Sequence, residues 1–270
     1  MRLALWNTPA TELLVYCLRA ALPGVEITVA DAATCEQALR QAAADAALLP
    51  TLSVLLRPDE FAAMPISAYA TWDNPFVRVL LRQGLTQPVR TLAFHPADAQ
   101  EAFVARVILG EHYGADVQMV AVERHADLHT AGADALLLTG STVPVPADGL
   151  VLDLGQEWYE LANYPMVWGL FAVRQGDADA PALAPVLRRA VQLAEDERSA
   201  WIAVRETTPA LHAFYAEALR FRFDDLATAS LTELAEYLFY YKITPEPPDL
   251  PLVTLPETPP DAHENPPLRL

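Results

Sequence analysis

Glycine is scarce in this chain, at ten of 270 residues. None of the ten falls in a Gly-x-Gly-x-x-Gly or Walker run, so the usual cradles for nucleotide phosphates are missing. A Gly-x-Ser-x-Gly elbow is missing as well. Cysteine is scarcer. Cys17 and Cys35 are enough for one disulfide, but both fall in apolar helical stretches and read as buried free thiols of a reducing compartment. Neither carries a nucleophile signature. Positive charge is short too, with 18 Lys and Arg against 35 Asp and Glu and a formal charge of −17. That balance excludes nucleic acid and anionic membrane surfaces as partners, since both are polyanions. A small anion remains acceptable wherever a local pocket is positive. No uncharged run approaches the ~20 residues of a membrane span. The first apolar run is interrupted by Asn7, Pro9 and Glu12 and lacks a small-residue cleavage site. The expectation is a cytoplasmic protein.

What is present is a rhythm. Residues 2–6, 25–29 and 45–49 read as buried strands, with Ala- and Leu-rich helices at 9–22 and 32–44 between them. The alternation resumes with strands at 90–94, 117–121 and 134–138 and helices at 98–113 and 123–131. Strand, helix, strand in this order predicts parallel strands with crossover helices, the α/β class. From about residue 179 the pattern turns helical, broken near Pro209, with a short Phe-Arg-Phe segment at 221–223 before a last helix at 228–242. Two α/β blocks and a helical stretch predict two lobes with C-terminal helices packed back on the first. Beyond Thr244, nine prolines in 26 residues exclude regular helix and central strand. Residues 245–270 therefore read as an extended tail, draped over the protein's own surface or offered to a partner domain.

Candidate chemistry is sparse. His125 and His129 stand one helical turn apart with Glu123 and Asp127 nearby, a spacing that suits a metal. No third ligand is evident, and the same pattern describes the polar face of a surface helix; no metal site is expected. Polar residues just past strand ends occupy the places where open α/β sheets hold ligands: Asn7, Thr51, Ser53, Ser141 and Thr142. Taken singly, each reads as a turn or cap residue. Together they point to a small-molecule cleft. Asp98 and Glu101, at the start of the helix after the strand at 90–94, have the spacing of a capping box that closes off the helix N-terminus.

The run Asp-Leu-Gly-Gln-Glu-Trp-Tyr-Glu-Leu-Ala-Asn-Tyr-Pro-Met-Val-Trp-Gly-Leu at 153–170 resembles the DLGEEW…TGLPFVFA signature of the menaquinone-biosynthesis family of the futalosine pathway. Other segments agree: Trp-Asn-Thr-Pro at 6–9, DAALLPTLSVL at 45–55, ADALLLTG at 133–140 and FRFDD at 221–225. The resemblance runs from about residue 2 to 242. It implies a two-lobed, periplasmic-binding-protein type II-like fold with an interlobe cleft, used in the cytoplasm as an enzyme. Lobe one would be 1–87 plus 175–244 and lobe two 88–174, hinged near 88 and 174. The nearer branch is chorismate dehydratase, a lyase that removes water from chorismate to give 3-[(1-carboxyvinyl)oxy]benzoate. Aromatisation drives that elimination, so no metal or organic cofactor is called for.

The chain departs from the family at its anion site. The family's Ser-x-Thr-Ser is replaced by Asp98, Ala99, Gln100 and Glu101, and a Ser of its Gly-Pro-Val-x-Ser-Val by Arg78. Its Gly-Asp becomes Gly140-Ser141 and its Thr-Gly becomes Ala162-Asn163. Carried over, the resemblance implies Asn7 as a substrate-orienting group, while it assigns no base. His95, at the strand end beside the helix at 98–113, reads as a candidate base or as a strand-end histidine satisfied by backbone. Thr51, Ser53, Arg78, Gln100 and Ser141 would be substrate-binding, with the Arg78 guanidinium recruiting a carboxylate in place of the lost hydroxyls. Two functional readings follow. One is a chorismate dehydratase with a rearranged anion site. The other is a non-catalytic binder of an aromatic carboxylate that kept the fold.

Overall fold

The computed structural model describes residues 1–123, 127–140, 149–205 and 208–256. The chain opens with β1 (Arg2–Trp6), α1 (Thr11–Ala21), β2 (Glu26–Ala30), α2 (Ala32–Arg40), β3 (Ala46–Pro50) and α3 (Thr51–Leu55). Two strands follow directly, β4 (Phe61–Thr71) and β5 (Val77–Leu81). Next come β6 (Thr91–Phe94), α4 (Ala99–Glu111), β7 (Gln118–Ala121), β8 (Ala135–Thr139), β9 (Leu150–Asp153), α5 (Leu154–Ala162) and β10 (Met166–Arg174). The chain continues through α6 (Ala184–Asp196), α7 (Arg198–Ala203), α8 (Pro209–Ala213), β11 (Leu219–Arg222) and α9 (Asp225–Tyr240).

Two sheets result. The larger runs β11-β4-β10-β3-β1-β2 and the smaller β7-β6-β8-β5-β9. In the larger, β3, β1 and β2 are parallel, as the alternating pattern predicts, while β10 and β11 run antiparallel to their neighbours. β3 is buried at every position, which fits its unbroken apolar run at the sheet centre. One apolar core joins both lobes, with Leu5, Leu48 and Phe171 of the larger sheet continuous with Val79, Leu92 and Leu137 of the smaller.

The crossings fall earlier than the sequence suggests. β5 lies within the 1–87 segment expected in lobe one, yet it pairs with β8 and β9 in the smaller sheet. β10 lies within the 88–174 segment expected in lobe two, yet it pairs with β3 and β4 in the larger one. The chain therefore passes between sheets at 72–76 and again between β9 and β10. At the second crossing, Asp153 Oδ1 caps α5 through the Gly155 and Gln156 N–H groups, at 2.8 and 3.1 Å. The same oxygen accepts from Asn74 N–H on the first crossing at 2.7 Å. A Cβ at Gly155 would sit 2.7 Å from backbone atoms of Asp73 and Asn74, so only glycine lets the two crossings meet. Asn163 ends α5 with φ 64°, a left-handed position that Asn tolerates next best to Gly. The Asp-Leu-Gly signature is thus a joint between lobes.

Two further expectations change. The helix expected at 123–131 is, in its described part, a 3₁₀ turn at Leu128–Ala131 whose His129 N–H is capped by Asp127. His125 lies outside the described residues. Of the tail, Pro251 and Val253 bond to the Ala63 backbone, so that residues 251–253 run beside the first half of β4. Both cysteines are free and buried.

Candidate active site in the interlobe cleft

Between the lobes lies a cavity of about 430 Å³. Lobe one contributes the end of β1 at Trp6, the first half of α2, and α3 with Arg57 after it; lobe two contributes the turn 96–98 and the first turn of α4. A second chamber of about 80 Å³ shares Trp6, Asp98 and Glu101 with it and is walled by Tyr69, Phe76 and Trp168. Thr8, Asn74 and Thr139 give this aromatic chamber its polar edge. Asp98 and Glu101 therefore line both cavities.

The capping box expected at Asp98 and Glu101 does not form. The helical path already begins at Pro96, in a 3₁₀ turn (Pro96–Asp98) that follows extended His95. Proline at that first position suits a helix start, because its missing N–H would have no partner there. Asp98 is thus inside the helical path and makes no side-chain cap bond. Its Oδ2 accepts instead from the Thr139 hydroxyl of β8 at 3.1 Å. The Glu101 carboxyl is met by its own backbone N–H. Burial, with the neighbouring Asp98 charge adding to it, pushes the Glu101 carboxyl up to about 8. At 4% exposure it is a neutral acid at neutral pH, facing both cavities.

The remaining expected residues divide. Ser53 lines the larger cavity, but its hydroxyl donates to Glu36 Oε1 at 2.5 Å. Gln100 lines it too, with both ends of its amide bonded to lobe one. Thr51 does not: it is fully buried and donates to the Val167 carbonyl at 2.8 Å. Arg78 is on the wrong face of its strand. β5 alternates, with Val77, Val79 and Leu81 in the interlobe core and Leu80 in the separate cluster beneath the sheet, where Leu138, the cross-strand partner of Arg78, also lies. Arg78 shares the face of Leu80 and is not among the lining residues. His95 is also outside the lining, with Nδ1 3.2 Å from the Val122 carbonyl. Asn7 is exposed between the lining residues Trp6 and Thr8, and its N–H donates to Ala30 O. Ser141 lies outside the described residues, although Gly140 before it lines the chamber.

The cleft is acidic. Asp31, Glu36, Asp98 and Glu101 line the larger cavity, and Arg57 is the one cation among its described lining residues. Arg57 Nη1 is paired with Glu36 at 3.1 Å, and Arg40 reaches the same carboxylate at 3.0 Å. Sequence reasoning missed the chamber's aromatic walls, since Tyr69 and Trp168 come from strands far apart in the chain. Away from the cleft, His112, Glu157 and Glu160 bring ligand atoms within 4.8 Å of one another on the surface of α4 and α5. His112 Nδ1 is there 3.2 Å from Glu157, which also accepts from Tyr113.

Solved structures with this fold define the class. The sulphonate-binding protein SsuA of Escherichia coli superposes with TM-score 0.59 over 100% of this chain and 97% of its own, at 13% identity. An ABC transporter protein of Parabacteroides distasonis gives 0.62 over 95% and 98%, also at 13% identity. Protein AF1704 of Archaeoglobus fulgidus gives 0.60 over 90% and 98%, at 14% identity. The molecule is a two-lobed protein of the type II periplasmic-binding-protein fold. Within that class the chain belongs to the menaquinone-biosynthesis family, whose model matches residues 1–240. No curated protein matches it significantly.

Proposed function

We propose that the protein is an enzyme of menaquinone biosynthesis that eliminates water from chorismate in the interlobe cleft. The observation that carries this reading is that Asp98 and Glu101 together line both cavities. An elimination needs one group to take a proton from carbon and another to give a proton to the leaving hydroxyl. Two carboxyls held in different environments suit those two roles. Asp98, oriented by Thr139, takes the ring proton. The C–H electron pair forms the new ring double bond, and the C–O bond breaks as neutral Glu101 protonates the departing hydroxyl. The products are the aromatic carboxyvinyloxy-benzoate and water, and a proton passed from Asp98 to Glu101 resets the site. A neutral Glu101 also spares the dianionic substrate one of the like charges that the sequence suggests.

The second reading, a binder without catalysis, is favoured by the acidic walls and by the pairing of Arg57 with Glu36. Such a cleft suits an aromatic ligand of lower negative charge. Incubation with chorismate, followed by chromatography for the product, separates the two. Turnover lost in Glu101→Gln and Asp98→Asn supports the enzyme. Absence of turnover at high wild-type concentration overturns it and leaves the binder.

A further inference from the structure

Gln100 is the second residue of the lobe-two helix α4 and is 4% exposed. Its Oε1 accepts from the Leu52 N–H of α3 at 2.9 Å, and its Nε2 donates to the Trp168 carbonyl of β10 at 2.7 Å. Both partners belong to lobe one. Leu52 is the second residue of α3, where an N–H has no partner within its own helix. Trp168 falls at the break in register between Val167 and Gly169 against β4, and the β3 pairing starts only at Gly169. Its carbonyl is therefore a backbone acceptor beside an irregularity of the ladder. One side-chain amide satisfies a donor and an acceptor across the cleft.

We infer that Gln100 is a latch: its amide holds the two lobes shut by bonding both backbone groups, and so keeps its neighbour Glu101 out of water. The chemistry is specific to an amide. A hydroxyl is too short to span both partners, and an aliphatic side chain of similar length fills the space with neither a donor nor an acceptor. Opening the cleft strips Leu52 N–H and Trp168 C=O of these partners together, so the latch favours closure before any ligand arrives. The inference concerns lobe closure and stands whatever the ligand is.

The test compares the wild-type protein with Gln100→Met, which keeps the side-chain length and removes both bonds. Amide hydrogen exchange and small-angle X-ray scattering are read without ligand. The wild-type scattering should match the closed form. In Gln100→Met, Leu52 N–H should exchange faster on the order of tenfold. Exchange in the first turn of α4 should quicken with it, and the radius of gyration should rise. The amides of β3 should stay protected, showing that the fold is intact. Faster exchange at Leu52 alone, with unchanged scattering, would show a local bond and overturn the latch. An open wild-type form in solution would overturn it too, and that measurement needs no variant.

Discussion

Asp153 Oδ1 accepts the Asn74 N–H at 2.7 Å, so the two segments on which the chain passes between its lobes are bonded directly to each other. The contact lies at the Asp-Leu-Gly run that most clearly marks the family in the sequence. It ties the two crossings to each other. Asp153 is pushed above the ordinary carboxylate range by burial, against the pull of the backbone N–H groups of Asn74, Gln156 and Gly155.

Gly155→Ala tests that joint. The new Cβ would meet Asp73 and Asn74 backbone atoms at 2.7 Å, and backbone cannot rotate away as a side chain can. Overpacking of this kind costs about 1–3 kcal/mol. The urea midpoint should fall accordingly, and an unchanged midpoint would contradict the joint.

Glu101 makes stability depend on pH in a defined direction. Its carboxyl is raised to about 8 when folded, from the ordinary 4.5 of an exposed carboxyl. Between those values the native state holds a proton that the unfolded state has released. The stability Glu101 contributes is therefore fully present below the unfolded value and is lost as pH rises toward 8. The slope is at most about 1.4 kcal/mol per pH unit. Glu101→Gln should remove that slope and be the more stable form at pH 8. Denaturant titrations at pH 5, 6.5 and 8 check both.

Arg78 should be dispensable for ligand handling. It shares a strand face with Leu80 and lies outside both cavities. Arg78→Met should leave chorismate-induced thermal stabilisation within error of wild type. A loss of tenfold or more in affinity would place the guanidinium in the cleft after all.

The tail guards an open edge. β11 covers β4 only from Ser67 to Thr71, and Phe223 adds one bond at Ile66. Ahead of that, Ala63 is paired by Pro251 and Val253. Truncation after Thr244 removes two hydrogen bonds, worth about 1 kcal/mol each. It also bares a strand edge that templates association. Lower stability and concentration-dependent association are expected by calorimetry and light scattering.

The parts of the fold that local pattern dictates were legible. β1, β2 and β3 are short apolar runs between Ala- and Leu-rich helices, and they lie within a residue of where the sequence puts them. β4 was not legible, because Pro65 interrupts an alanine-rich stretch that finds its register only between two neighbours. With β5 unread as a strand, the two-residue alternation that removes Arg78 from the cleft was unread as well. The capping box failed on a local signal that was present, His95-Pro96, which starts the helical path two residues before Asp98. The burial of Glu101 and the chamber between Tyr69 and Trp168 arise only where segments distant in the chain meet. No window of sequence contains them.

An acid–base pair of Asp98 and Glu101 acting on chorismate requires both carboxyls for turnover. The most direct measurement is the rate of product formation from chorismate by wild type, Glu101→Gln and Asp98→Asn at pH 7. Wild type should turn chorismate over, and each variant should be slower by about 10²–10⁴-fold. Turnover that survives both substitutions undiminished, or none in wild type, would contradict it.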